Sequence, residues 1–168
     1  MPLRLPNRCG PDCIAGFRAA AVQRYRDACR LADGERRTGA VYLWGYSIEM
    51  LLKAAFFRAF GYDDHRPITT ADLRAAIQLA PSVGYTWPAG GNLHHLPAWG
   101  QLLVRVRSHL PSAAYSTRQF PGRILTRTVQ AYQVWREMLR YHENRAYEHE
   151  VRTVRASAEW FFAHAAQL

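Results

Sequence analysis

The stretch from Thr38 to Phe57, "TGAVYLWGYSIEMLLKAAFF", contains no proline, and its only charged residues are Glu49 and Lys53. A run of this length and content has few ways to fold. It is long enough to span a membrane, but two charges near its middle are costly in lipid, so it reads as a helix buried in protein. Being apolar nearly all round, that helix belongs at the centre of a bundle or in an interface. Lys53 is the only lysine of the chain; every other basic side chain apart from histidine is arginine. It follows Glu49 by four residues, the favourable order for an intrahelical ion pair. Two readings stay open for the pair: a structural contact at the helix edge, or polar groups facing a shared cleft.

The rest of the sequence supplies partners for this helix. A first helix is expected after Asp12 as N-cap, with Ile14, Phe17, Ala21, Tyr25, Ala28 and Ala32 at steps of three and four and a stop at Gly34. The central helix runs from about Thr38 to Phe60 and ends at Gly61. Thr70 is expected to cap a short helix through Leu73, Ala76, Ile77 and Ala80, terminated by Pro81. Pro81 to Pro97 reads as the longest irregular connection. Beyond it, Leu96, Trp99, Leu103, Val106 and Leu110 share a helix face that Pro111 closes. From Ile124, the residues Leu125, Thr128, Tyr132, Trp135 and Leu139 are again helical in spacing. The last helix places Tyr147, Val151, Val154, Ala158, Phe161, Ala165 and Leu168 on a row of seven-residue period. No convincing period-two strand and no internal repeat appears. The expected fold is all-α, with four long core helices plus one or two short ones, in a single domain over residues 12–168 after an irregular segment at 1–11.

With 168 residues, a net charge of +9 and a pI near 10, the chain suits an acidic partner, and RNA, DNA or a nucleotide comes before a membrane surface. A genome habit of using arginine is an equally good account of the charge. The three cysteines, Cys9, Cys13 and Cys29, are too few and too clustered for a disulfide framework. Cys9 and Cys13 have the spacing of half a zinc site with no second pair following, so no metal and no cofactor is expected. The opening "MPLRLPNRCGPDC" lacks the sustained apolar segment of a secretory signal, and a cytoplasmic location is expected.

The richest polar stretch is "RYHENRAYEHEVR", Arg140 to Arg152, at the junction before the last helix. Arginine can hold a phosphate through two parallel hydrogen bonds, and histidine can move a proton near neutral pH. Together they suit metal-independent RNA cleavage, in which a 2′-hydroxyl attacks the adjacent phosphate. Arg145 and His149 would share a helix face if the last helix began that early. The spacing alone carries little, because Arg58 and His65 are placed similarly. In "LHHLPAWGQLL", His94 and His95 read as capping or loop-packing residues, with a site contribution from His94 as the other reading.

"YRDACRLADGERRTGAVYLWGYSIEMLLKAAFFRAFG", Tyr25 to Gly61, resembles the first two helices of the HEPN domain family (higher eukaryotes and prokaryotes nucleotide-binding domain) of prokaryotic type. The similarity lies in an A-x-x-L turn, a glycine between the helices, and a second helix of the A-x-E-x-x-LKA type. Glu49, Leu52 and Lys53 match, and Ser47 replaces the usual alanine. "HHLPAWGQLL" is similar to the family's H-D-L-x-x-L-L segment, with His95 in place of the acid. "LRYHE", Leu139 to Glu143, is similar to its R-Y-P-D stretch without the proline or aspartate.

This resemblance implies an up-and-down bundle of four core helices, commonly a homodimer, with the last helices near a shared cleft. It also implies RNA or nucleotide binding, ribonuclease activity in many members of toxin–antitoxin and antiviral systems, and a nucleotidyltransferase-type antitoxin as partner. Ribonuclease members carry R-x(4–6)-H with a polar residue after the arginine, usually Asn, Asp or His. Here Arg136 to His142 has the spacing but is followed by Glu137, and Arg145 to His149 is one residue short with Ala146 next. The expected catalytic set is Arg140, His142, Arg145 and His149, as a weak or degenerate metal-independent endoribonuclease. Glu49, Lys53, Tyr141 and His94 are expected to line the nucleotide-binding cleft. One alternative is a non-catalytic dimeric adaptor using the central helix and the heptad-like row, in which Phe161 would meet the partner. Another is a small-molecule site in the Tyr85 to His95 loop lined by Tyr85 and Trp87.

Overall fold

The computed structural model describes residues 11–109 and 119–168, and among these it contains helices and no strand. We number the α-helices α1 (Ile14–Asp33), α2 (Arg37–Ala59), α3 (Thr70–Leu79), α4 (Leu96–Ser108), α5 (Gln119–Val134) and α6 (Glu148–Ala163). Short 3-10 helices follow α3, at Ala80–Val83, and α5, at Glu137–Tyr141.

α2 has no polar face because it is covered on several sides. α1 folds back along it through the turn at Gly34, and α4 and α6 pack elsewhere on its surface. α4 also packs on α5, and α5 on α6, so α2, α4, α5 and α6 enclose a common core containing Ile48, Leu52, Leu102, Ile124, Val154 and Phe161. No helix among the described residues is long and apolar enough to cross a membrane.

Two glycines set how closely the helices approach. A Cβ on Gly45 would lie 2.1 Å from Cδ1 of Trp135, so the indole rests directly on the α2 backbone, and its Nε1 donates to the Tyr42 carbonyl at 2.9 Å. A Cβ on Gly100 would come within 2.9 Å of Thr128, which lets α4 and α5 touch.

Several helix ends differ from the sequence expectation. Cys13, not Asp12, caps α1: its backbone is extended and its Sγ accepts the Gly16 N–H, while the Asp12 carbonyl accepts the Ile68 N–H at 2.7 Å. Thr69, not Thr70, caps α3 in a reciprocal box with Asp72, and the Thr69 hydroxyl and main-chain N–H, donating to that carboxylate, pull Asp72 down to about 2. Pro81 does not itself stop α3; it lies in the 3-10 helix that ends at Gly84, where φ is +73°. α5 ends at Val134, so Trp135 and Leu139 lie beyond it; Arg136 is extended there and Trp135 turns in to meet Gly45. Cys9, Leu110 and Pro111 lie outside the described residues.

The heptad-like row of α6 is an internal seam. Val151, Val154, Ala158 and Phe161 are buried against neighbouring helices of the same chain, and Tyr147, expected to start the row, is 69% exposed.

Candidate functional site

Glu49 and Lys53 form a hydrogen-bonded ion pair one turn apart on α2. Their side chains are only 3% and 8% exposed. A buried carboxylate and ammonium persist in such surroundings only when each is paired. Lys53 Nζ also lies 5.4 Å from the centroid of the Trp99 ring, where the π face receives part of its charge. The third member is His94, whose Nδ1 is 3.0 Å from both Glu49 carboxylate oxygens. A carboxylate only accepts, so Nδ1 carries the proton and donates, leaving Nε2 as the outward nitrogen.

The loop between Gly84 and His95 holds this imidazole in place. Asn92 Oδ1 accepts the His94 main-chain N–H at 2.8 Å, and Trp99 Nε1 donates to the Leu93 carbonyl at 2.8 Å. His95, the adjacent residue, is the N-cap of α4: its Nδ1 accepts the Ala98 N–H at 3.1 Å. Burial foremost, and then the Arg136 charge, hold His95 below the ordinary histidine range. The two histidines thus divide the roles proposed for them, one capping a helix and the other facing Glu49. Trp87 does not line this site; it packs edge-on against Trp99 at 5.3 Å in the core.

The trio lines a cavity of about 640 Å³ between α1, α2, α3 and the loop. Phe17, Met50, Leu73 and Leu93 supply apolar wall, and Tyr46, Cys13 and Asp12 supply further polar groups. Burial, and then the Glu49 carboxylate, push the Tyr46 hydroxyl above its ordinary value, while Arg140 and Arg24 oppose that shift. Tyr46 and Asn92 were not singled out from the sequence, and Cys13 was considered there only as half of a zinc site. A signal for Tyr46 existed: Tyr42, Tyr46, Glu49 and Lys53 fall at steps of four, three and four within an otherwise apolar helix.

The arginine- and histidine-rich junction is a separate place. Thr38, in the first turn of α2, accepts the N–H groups of Arg145 and Ala146 on its Oγ1 at 2.7 and 2.9 Å, and Asn144 bridges the Thr38 N–H and the Glu35 carbonyl. Thr38 and Glu49 are about 16 Å apart along the helix rise. Arg140 and His142 line a hollow of about 310 Å³, and His142 and Arg145 line a neighbouring one of about 290 Å³. The Arg140 guanidinium lies 4.6 Å from the ring of Tyr141, which is 76% exposed. Tyr141 foremost, and to a smaller extent Tyr42, raise Arg140 above its ordinary value.

The eight predicted residues therefore fall into groups. Glu49, Lys53 and His94 meet at the cavity; Arg140, Tyr141, His142 and Arg145 gather at the junction. Glu49 does not join Arg140 or Arg145, because Lys53 and His94 occupy its carboxylate. α6 begins at Glu148, so Arg145 precedes the helix and does not share a face with His149. His149 is exposed and stacks on Tyr147 at 5.8 Å, lining neither hollow. Arg145 pairs with Glu143 at 3.0 Å in open solvent. Among the described residues no group of three or more His, Cys, Asp or Glu side chains is arranged to hold a metal ion. The chain matches no protein-family model, no curated protein and no solved structure.

Proposed function

We propose that the protein is a HEPN-type RNA- or nucleotide-binding protein whose nucleic-acid surface is the junction around His142. The reading includes an up-and-down core of four helices, a homodimer, and a nucleotidyltransferase-type antitoxin as partner. The observation that carries it is the arrangement of His142 between hollows that also hold Arg140 and Arg145, beside the exposed ring of Tyr141. Exposed aromatic faces stack on unpaired bases, and guanidinium groups take the phosphates. Cleavage at this surface would use the His142 imidazole as general base for a 2′-hydroxyl, with Arg140 or Arg145 stabilising charge on the phosphorane-like transition state.

A homodimer would not use the α6 row, which is occupied within the chain. The described residues available to it include Met138, Tyr141 and Tyr147, all exposed at the junction. The adaptor reading loses its test residue for the same reason: a charge at Phe161 enters the core and does not touch a partner.

The test is titration of a fluorescent single-stranded RNA followed by anisotropy at several salt concentrations. Binding should weaken steeply with salt, and Arg140→Ala with Tyr141→Ala should weaken it by about tenfold or more. Unchanged affinity in that pair of variants refutes the surface. Intact RNA after prolonged incubation, with no effect of His142→Ala plus His149→Ala on growth, removes the catalytic part and leaves the binding part standing.

A further inference from the structure

We propose that the cavity behind Tyr46 is a binding site for a small organic monocarboxylate with an apolar body. Three features of the site lead there. The first is a count of charge. Glu49 contributes one negative charge, Lys53 one positive charge, and His94 one more when protonated, so the protonated trio carries a single net positive charge. One carboxylate balances it, whereas a phosphate dianion would leave excess charge beside the buried Glu49 carboxylate.

The second is the gradient of exposure. Glu49 and Lys53 are buried at 3% and 8%, but the His94 side chain is 34% exposed. Glu49 fixes the ring through Nδ1, and among the described residues no group hydrogen-bonds Nε2. A buried acid orienting an outward imidazole holds Nε2 in place before any ligand arrives, and in the imidazolium form that nitrogen is a donor, so the ordering cost of binding is lowered.

The third is the wall. Phe17, Met50, Leu73 and Leu93 offer apolar contact, and about 640 Å³ suits a body of several carbons. Other charges around His94 act in both directions. Arg24 and Arg140, which act on Tyr46, favour an anion; Asp12, on the rim, opposes one; Cys13 and Tyr46 are the remaining titratable groups lining the cavity. The carboxylate accepts from His94 Nε2–H⁺, and the alkyl or aryl body covers the apolar wall.

The experiment is calorimetric titration of the full chain with octanoate and with benzoate at a series of pH values. At least one carboxylate should bind saturably, and more tightly at the acid end of the series. 1-Octanol and inorganic phosphate should bind at least about tenfold more weakly. His94→Gln should lose about tenfold or more while keeping its unfolding temperature and its RNA affinity. As a measurement independent of that variant, octanoate should slow alkylation of Cys13 in a Cys9→Ser, Cys29→Ala background. Absence of saturable carboxylate binding, octanol binding as tight as octanoate, tighter phosphate binding, or unchanged affinity in His94→Gln each overturn the proposal. RNA binding at the junction is read separately, so neither outcome stands in for the other.

Discussion

At the Glu49 cavity a carboxylate and an ammonium meet at side-chain exposures of 3% and 8%, whereas at the junction Arg145 and Glu143 pair at 77% and 81%. The same chemistry, acid against base, has different consequences in the two settings. In the cavity each charge depends on its partner, because so little of either side chain is open to solvent. At the junction, solvent screens the pair, and the Arg145 guanidinium can leave Glu143 for a phosphate at little cost. A ligand at the buried site would meet one fixed geometry, while the exposed one would tolerate many, as a surface that followed a flexible polymer would have to.

Breaking the buried pair should have the largest effect. Glu49→Leu leaves Lys53 charged in the core and should cost about 3–5 kcal/mol in urea unfolding. Adding Lys53→Met should recover most of it; a single variant as stable as the parent would mean that the cavity is as well hydrated as the junction. Next comes the contact of Trp135 with α2. Gly45→Ala places a methyl into the indole and should cost about 2–3 kcal/mol, with a shift in tryptophan emission as Trp135 is displaced. An unchanged emission maximum would show that α2 and Trp135 can separate freely.

Thr38→Val removes the acceptor for two main-chain N–H groups and should cost about 1–2 kcal/mol. Its effect should fall on the junction alone, and carboxylate binding at the cavity should be unaltered. A smaller effect is expected from pH. Because burial lowers His95, its contribution to stability is present above the ordinary histidine value near about 6.5 and is lost as the pH falls through the lowered value. Unfolding curves at stepwise pH should show that slope, and His95→Asn, which can still cap α4, should flatten it. The smallest change is expected at His142: His142→Ala should alter stability by no more than about 0.5 kcal/mol, so any loss of RNA binding reports the surface itself.

The helices could be read from the sequence because each buries a face whose period is set by the helix, and α2 because nothing but a surrounded helix accommodates so apolar a run. The ends were harder. Asp12 and Thr70 are the caps expected from the sequence; Cys13 takes the first place while the Asp12 carbonyl accepts a tertiary hydrogen bond from Ile68, and Thr69 takes the second through its local box with Asp72. α5 appeared to continue to Leu139 because Trp135 keeps the helical spacing, although its indole answers to Gly45, far away in sequence. Charge spacing alone identified the Glu49–Lys53 pair. The third partner, His94, was in view but was assigned to the same cleft as Tyr141, since sequence order says nothing about which face of the molecule a loop reaches.

The hydroxyl of Thr38 that accepts the Arg145 and Ala146 amides joins positions separated by 107 and 108 residues. That closure follows the local α1–α2 hairpin, which presents the oxygen, and it is shared with the packing of α6 on α2. The junction differs in burying little surface, so it should be among the first segments to open. Exchange of the Arg145 and Ala146 amide hydrogens would time that opening, and RNA would be captured by a strap fastened to the body through Thr38 and Asn144.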